Sequence, residues 1–496
     1  MSSIALIRRA TDHGDAVAIF SPAGEHSYRD ILDSSARLAS FLLEQTSDLE
    51  EARVAYLLPA GFDYVSTQWG IWRAGGIAVP LSLSATEPEL EYTLTDSAVS
   101  QLVTSRDLVD KVSGLAERIG LRLLVVEDTK HELVALPDVG EDRRAMILYT
   151  SGTTSKPKGV VSTHANIRAQ ITALIEAWHW ETSDSIPLFL PLHHIHGIIN
   201  IMSSALWIGA KFEPFERFKV EEITDRVSQN AYSVFMAVPT IYVIMIQWLD
   251  LLSDAEREPI VTAFGKMRLM ISGSAALPSS VHEAWTGLTG QRLLERYGMT
   301  EIGMGLSNPY GGERRAGMVG QPLPNVNVRL KSEQGHIVAE ESEPGEIQIR
   351  GPAVFLEYWR RPEVTRNSYD DGWFRTGDMA VLEDGYYRIM GRQSVDIIKS
   401  GGYKLSALEI EAALMDHDAI QECAVVGTPD ETWGEAVAVA VVLAEKTELQ
   451  LEELRDWCRD RLSKYKIPKE LLVVDSLPRN AMGKVTKPAV SKLFSK

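Results

Sequence analysis

Two long stretches without a formal charge, Ser185–Ala210 and Asn230–Leu249, constrain this chain more than any other feature, because 24% of its residues are charged. Stretches of this kind leave water, either for a bilayer or for a protein core. A membrane span wants roughly 20 predominantly apolar residues. The first stretch instead contains Pro187, Pro191, His193, His194, His196 and Asn200, and Pro239 interrupts the second. Both are therefore expected as buried elements, which requires a domain large enough to cover them on every side. A length of 496 residues provides it. At roughly 100–200 residues per domain it allows two to four folded units.

Composition then narrows the partners. The chain carries 50 Lys+Arg against 68 Asp+Glu, a net charge of −18. That balance argues against a nucleic-acid partner or an anionic membrane surface, both of which need clustered positive charge. An anionic ligand must then be held by local groups. Cys423 and Cys458 are the two cysteines, and they fit neither a disulfide framework nor a zinc site, so a reducing, cytoplasmic setting is expected. The segment Met1–Asp15 has no apolar run long enough for a signal peptide, and Asp12 speaks against a transit peptide.

The hydrophobic pattern reads as α/β. A helix from about Ser27 places Leu32, Ala36, Ala39 and Leu43 on one face, then come a strand at Val54–Leu58, a helix to Ala74 and a strand at Ile77–Leu81. Strand-like runs at Gln101–Ser105, Leu121–Glu127, Met146–Thr150 and Ser233–Val238 continue the alternation. From Val319 to about Met390 short strands with Gly, Pro and Asp turns predict a small β unit, including Glu346–Gly351 and Tyr386–Ile389. After Gly391 the sequence resets. A helix from Ser406 opens on the capping-box pattern Ser406-Ala407-Leu408-Glu409, and strands near Cys423–Val426, Val437–Leu443 and Leu471–Val474 surround a helix with Leu451, Leu454, Cys458 and Leu462. The expected division is a large N-terminal domain, residues 1–392, of α/β subdomains plus the small β unit, and a small mobile α+β domain, residues 393–496.

The most informative segment for chemistry is Tyr149-Thr150-Ser151-Gly152-Thr153-Thr154-Ser155-Lys156-Pro157-Lys158-Gly159-Val160, directly after an apolar strand. Glycines let backbone N–H groups turn toward an anion, the hydroxyls add donors, and the lysines bring charge into an acidic protein. It is not a Walker A loop, because Gly152 and Gly159 have the wrong spacing and no Gly-Lys-Ser/Thr ends it. Three histidines close together, His193, His194 and His196, invite a metal reading. It is set aside because no carboxylate or cysteine accompanies them in their uncharged run.

The run at 149–160 resembles the phosphate-loop signature of the adenylate-forming superfamily of acyl-CoA synthetases, luciferases and peptide-synthetase adenylation domains. Further segments resemble its other signatures in order: Tyr297-Gly298-Met299-Thr300-Glu301, Thr376-Gly377-Asp378, Gly391-Arg392, Lys399-Ser400-Gly401-Gly402-Tyr403-Lys404 and Pro478-Arg479-Asn480-Ala481-Met482-Gly483-Lys484. Several ordered matches carry weight where one would not. The resemblance implies ATP, Mg²⁺ and coenzyme A as ligands. It gives Thr150, Ser151, Gly152, Thr153, Thr154 and Lys158 to the phosphates, Thr153 also being counted with the catalytic groups. Ser272, Gly273, Ser274, Tyr297, Gly298, Met299, Thr300 and Arg392 go to the nucleotide, Asp378 to the ribose hydroxyls and Glu301 to Mg²⁺. Lys484 would bridge the carboxylate and the α-phosphate. Rotation of the small domain would follow, about the hinge position Ser394, where many members have Asp or Lys. Ser400, Gly401, Gly402 and Tyr403 would then meet pantetheine. The residue types suit the reaction, since joining a carboxylate to an α-phosphate needs positive charge at both anions and at the leaving pyrophosphate.

By the same resemblance, Leu190–Gly197 lines the acyl pocket, and His193 with His194 there points to a polar acid. The stretch Gly305–Gly317 and the run Ser394–Lys399 are similar to malonyl-CoA synthetases. A dicarboxylic acid presents a second carboxylate, which a buried arginine pairs bidentately. Arg314 is the expected partner, with Ser307 and His194 in support. Methylmalonate is a natural neighbour of malonate. The expected protein is a small-molecule ligase, monomeric or homodimeric, without a membrane span. The competing readings are a ligase for a short monocarboxylic or aromatic acid, an adenylation module loading a carrier protein in trans, and a non-catalytic nucleotide binder. Retention of Lys484 and Glu301 argues against the last.

Overall fold

The computed structural model describes residues 4–22, 24–129, 132–150, 157–400, 403–430, 433–479 and 485–494. Its body is α/β. A seven-stranded sheet runs in the spatial order Glu357–Tyr358, Lys158–Thr163, Arg144–Thr150, Ile77–Pro80, Arg53–Leu57, Gln101–Thr104 and Arg122–Val125. The strands from Arg144–Thr150 to Arg122–Val125 are parallel, and Lys158–Thr163 returns antiparallel to Arg144–Thr150. A second sheet sets Val234–Ala237, Leu269–Ser272 and Leu294–Met299 parallel, followed by antiparallel Gly303–Ser307 and Gln321–Pro322.

The uncharged stretches fall where burial demands. Ser185–Leu188 pairs with Lys211–Pro214 in a third sheet, and Val234–Ala237 is fully buried at the edge of the second. Large aromatic side chains, Trp69, Trp178, Phe212, Phe235, Phe264 and Trp285, fill the core around them. Among the described residues no helix is long and apolar enough to cross a membrane.

The small β unit is an antiparallel sheet of Asn327–Lys331, Gly345–Arg350, Trp373–Glu383 and Tyr369–Asp370, with Tyr386–Arg392 on the far side of Trp373–Glu383. Beyond it, Ile398, Leu405, Ile410, Leu414, Val437, Val439, Leu454 and Cys458 form a hydrophobic cluster separate from that of the body. The C-terminal sheet is built on Ile420–Asp430 and Gly434–Leu443, with Ala407–Leu414 packed against it.

Differences from the sequence expectations are local and have causes. The strand expected to reach Glu127 stops at Val125 and tightens into a 3₁₀ turn, where the Glu127 carboxylate accepts the Arg106 N–H. Half of the Ser406 capping box forms: the Ser406 hydroxyl accepts the Glu409 N–H, but the Glu409 carboxylate pairs with Lys466 instead of reaching back. The helix expected through Leu462 ends at Cys458, and Leu462 packs on the same cluster from the following turn. His196–Ser203 is wound as a π-helix, which no periodicity announced. Its wide turns are stitched by the Ser203 and Ser204 hydroxyls donating to the Ile198 and Ile199 carbonyls.

Candidate active site

Strands Arg144–Thr150 and Lys158–Thr163 pair antiparallel with Thr150 opposite Lys158. Ser151, Gly152, Thr153 and Thr154 lie outside the described residues. Thr150 Oγ1 donates to the Lys158 carbonyl at 3.5 Å. The Lys158 ammonium lies 4.8 Å from the centroid of the Tyr358 ring, and the Tyr358 hydroxyl donates to Glu301 Oε1 at 2.8 Å. Tyr358 reaches this place because Glu357–Tyr358 adds to the sheet edge beside Val160 and Val161. Burial pushes the Glu301 carboxyl above the usual range, against the Tyr358 hydrogen bond and the charges of Arg392 and Lys158.

Glu301 sits on the turn of a hairpin, between Leu294–Met299 and Gly303–Ser307, with Met299 closing the first strand and Thr300 opening the turn. At Gly298 a Cβ would stand 2.3 Å from the Gly303 carbonyl oxygen, so only glycine allows this closure. Tyr297 points to the small β unit and donates to Asp378 Oδ2 at 2.5 Å, while Arg392 Nε lies 3.1 Å from Asp378 Oδ1. Asp378 and Arg392 face each other in register across two strands. Burial raises the Asp378 carboxyl, and Arg392 opposes the rise. The structure thus brings Lys158, Glu301, Tyr297, Asp378 and Arg392, far apart in sequence, to one side of the site.

The other side is formed where Leu269–Ser272 ends. Ser274 adopts φ +72°, in the left-handed region that a non-glycine residue rarely takes. Its hydroxyl lies 3.2 Å from His196 Nδ1 and accepts from Arg296 Nη2 at 3.4 Å. A Cβ on Gly273 would be 2.5 Å from Arg296 Cζ, so this glycine makes room for the guanidinium. Arg296 is buried, and burial draws its pKa down to about 10. Burial first, then the charges of Arg296 and His194, hold the His196 imidazole well below its usual range and therefore neutral. His193, its ring tilted 48° to that of His194 at 4.1 Å between centroids, is drawn down to about 4 by burial. Ser272 Oγ, His196 Nε2 and Arg296 Nε are buried without a hydrogen-bond partner among the described residues. On the opposite face of the strand, burial pushes the Glu295 carboxyl up to about 8, and its Oε1 accepts the Leu277 N–H.

Two residues expected at the acid have their donors engaged elsewhere. The Ser307 hydroxyl accepts from Trp178 Nε1 at 3.0 Å and donates to the Asn308 carbonyl at 2.8 Å. The Arg314 guanidinium donates to the Arg292 carbonyl at 2.7 Å and the Tyr310 carbonyl at 3.0 Å, tying its loop to the segment ahead of strand Leu294–Met299. Arg296 was missed by sequence reasoning. The available signal was an adjacent Glu295-Arg296 pair inside a strand whose two faces are both buried, where a charge needs a reason.

In the C-terminal unit, Ser394 is exposed in the turn after Arg392, and Ser400 is buried at the end of Ile397–Ser400. Gly401 and Gly402 lie outside the described residues. Tyr403 is exposed, its ring stacked on Tyr465 at 4.5 Å. Lys484 also lies outside the described residues. The chain on either side is joined by a bridge between Arg479 and Val485, and Arg479 pairs with Glu422 at 2.6 Å.

Comparison with known proteins agrees with this layout. The model of the AMP-binding enzyme family matches residues 6–359, and that of the AMP-binding enzyme C-terminal domain matches residues 409–484. The chain is 44% identical to the mitochondrial malonate–CoA ligase ACSF3 of Bos taurus, over 97% of this chain and 88% of that one. It is 39% identical to the malonate–CoA ligase of Arabidopsis thaliana, over 98% and 88%. Its fold superposes on ATP-bound MatB from Rhodopseudomonas palustris with a TM-score of 0.89 at 32% identity, covering 100% of this chain and 99% of that one. The o-succinylbenzoate CoA synthetase MenE of Bacillus subtilis, in complex with its acyl-adenylate intermediate, follows with a TM-score of 0.86 at 26% identity, covering 98% and 97%. This chain belongs to the AMP-binding enzyme family.

Proposed function

We propose that the chain is an ATP-dependent acid–CoA ligase whose acid is malonate. A malonate carboxylate oxygen attacks the α-phosphorus of ATP, and pyrophosphate leaves. The thiol of coenzyme A then attacks the acyl carbonyl of malonyl-AMP, giving malonyl-CoA and AMP. The observation that carries the acid assignment is the buried guanidinium of Arg296, with Nε unpartnered among the described residues, beside Ser274 and neutral His196. A buried cation with incomplete hydrogen bonding suits an acid that retains a free carboxylate after adenylation. The malonate–CoA ligases among the relatives support the same reading. In this assignment Arg296 takes the role expected of Arg314.

The remaining residues divide between the half-reactions. Thr150, Ser151, Gly152, Thr153, Thr154 and Lys158 cradle the outgoing phosphates, and Tyr297 offers its ring to the adenine. Asp378 accepts the ribose hydroxyls, its carboxylate oriented by Tyr297 and Arg392 while each oxygen keeps lone-pair capacity. The Glu301 carboxylate is a hard oxygen donor held by Tyr358, over whose ring Lys158 sits, and it fits Mg²⁺, which keeps one or two carboxylates beside substrate phosphates. When bound, that ion neutralises phosphate charge; holding its ligand in place is the task of Glu301 and Tyr358. Lys484 neutralises charge between carboxylate and α-phosphate. The unit 393–496 then turns about Ser394 against the body 1–392, bringing Ser400, Gly401, Gly402 and Tyr403 to the pantetheine arm. We place the enzyme in the cytoplasm as a monomer or homodimer, supplying malonyl-CoA to fatty acid metabolism.

Pyrophosphate release and thioester mass should be measured together with ATP, Mg²⁺ and coenzyme A across malonate, methylmalonate, succinate, acetate, octanoate and a cinnamate. Malonate should lead and yield malonyl-CoA. A profile led by a monocarboxylic acid would overturn the acid assignment and leave the adenylation chemistry standing.

A further inference from the structure

The buried ionisable groups of the C-terminal unit converge on a site that neither half-reaction uses directly. Lys487 Nζ lies 2.7 Å from Asp396 Oδ1 and 2.8 Å from Glu411 Oε1, and all three side chains are less than a fifth exposed. Glu411 Oε1 also accepts the Val425 N–H at 2.8 Å, which anchors the cluster to the C-terminal sheet. The carboxylates keep the lysine charged against burial. Removing the lysine would leave two buried carboxylates without their counter-charge.

The position of these residues along the chain gives the cluster its meaning. Lys487 opens the helix Lys487–Phe494, three residues after Lys484 in sequence, and Thr486 donates its N–H to the Pro478 carbonyl, joining the described chain on either side. Asp396 follows Ser394 by two residues. Its second oxygen, Oδ2, accepts the Arg392 N–H at 2.9 Å, across the turn that contains Ser394. A Cβ on Gly391 would stand 2.3 Å from Asp396 Cβ, so the glycine, at φ +117°, is what lets Asp396 tuck in so closely. Arg392 in turn holds Asp378. A continuous polar path therefore runs from Lys487 through Asp396 and Arg392 to the aspartate assigned to the ribose.

We propose that Asp396 and Lys487 are positioning residues for the first half-reaction, a joint that fixes the lysine-bearing segment to the strand end beside Asp378. The proposal rests on the assignment of Lys484 above. Asp396, Glu411 and Lys487 all lie past Ser394 and travel together when the small unit turns. The contact of Asp396 Oδ2 with the Arg392 N–H spans the turn, beside the Asp396 and Val395 N–H groups that donate to the Arg392 carbonyl, so it is among the contacts released for thioester formation.

The test uses the full-length enzyme and separates the half-reactions: malonate-dependent ATP–pyrophosphate exchange, and thioester formation from supplied malonyl-adenylate and coenzyme A. Lys487→Met should lower kcat of exchange by roughly tenfold to a hundredfold, with KM for ATP and malonate moving less than about threefold. Thioester formation should stay within about threefold of the parent, which also reports an intact small unit. Lys487→Arg should restore most of the exchange. Asp396→Asn should behave as Lys487→Met, and the double variant should be no more than about twofold worse than the weaker single, because both remove one shared contact. Multiplying losses, or both half-reactions falling together with a lower Tm, would overturn the joint. Lys484→Ala distinguishes the levels. Exchange surviving in Lys484→Ala would remove the parent assignment and the joint with it; exchange abolished there but unchanged in Lys487→Met would remove the joint alone.

Discussion

Around the ribose aspartate the charged groups have found protein partners: Tyr297 and Arg392 hold Asp378, and Tyr358 holds Glu301. One residue earlier on the same strand, Arg296 has an Nε with none, and His196 Nε2, joined to it through Ser274, is likewise buried and unpartnered among the described residues. An unpaired buried polar group costs about 1–3 kcal/mol, so a fold tolerates several together only where something else repays them. On the proposed assignment the nucleotide side is preorganised and shares its groups with ATP, whereas the acid side is completed by a ligand carboxylate. Selectivity for the acid should therefore depend steeply on a few side chains, while nucleotide binding should be spread over many.

The largest effect should come from Arg296→Met. It should lower kcat/KM for malonate by roughly 100-fold or more and leave acetate within about threefold, measured by pyrophosphate release with each acid. Equal losses for both acids would erase the distinction between the two sides. Tyr297→Phe, on the paired side, should raise KM for ATP by only roughly three- to tenfold, since Arg392 still holds Asp378. A collapse comparable to that of Arg296→Met would mean that nucleotide binding is as concentrated as acid binding. Arg314→Ala should change the malonate-to-acetate ratio by less than about threefold, because its guanidinium braces the Tyr310 carbonyl of its own loop and the Arg292 carbonyl ahead of strand Leu294–Met299. A selective rise in the malonate KM would return the acid to Arg314.

The smallest effect concerns pH. Burial lifts the Glu295 carboxyl to about 8, above its usual value near 4.5, so the folded chain holds this proton where the unfolded chain has lost it. The stability this contributes is complete below about pH 4.5 and is lost as pH rises through about 8. Glu295→Gln should therefore raise Tm relative to the parent by roughly 1–3 °C at pH 8.5, and the gain should vanish near pH 4.5. A gain that grows toward low pH would contradict burial as the cause.

Much of the nucleotide side is legible in the sequence because its residues sit in segments whose composition is abnormal for their surroundings. A glycine- and hydroxyl-rich run after an apolar strand, and Tyr297 to Glu301 with its glycine, stand out in this way. What could not be read was the partner structure. Tyr358 reaches Glu301 only because a two-residue strand, Glu357–Tyr358, joins a sheet edge made some two hundred residues earlier. The π-helix at His196–Ser203 has no sequence period to announce it, yet it carries His196 to Ser274. Arg314 is expected at the acid from the resemblance of Gly305–Gly317 to malonyl-CoA synthetases and from the fit of a guanidinium to a carboxylate. An arginine on a loop can equally brace backbone carbonyls, as Arg314 does at Tyr310 and Arg292, whereas an arginine inside a doubly buried strand has few reasons to be there.

The most direct measurement compares affinities of two non-hydrolysable sulfamoyl-adenosine analogues, one of malonyl-AMP and one of acetyl-AMP, for the parent enzyme and Arg296→Met. The parent should bind the malonyl analogue roughly 100-fold more tightly than the acetyl analogue, and the variant should bind the two within about threefold of each other. A malonyl preference that survives intact in Arg296→Met would show that the free carboxylate is read by another group.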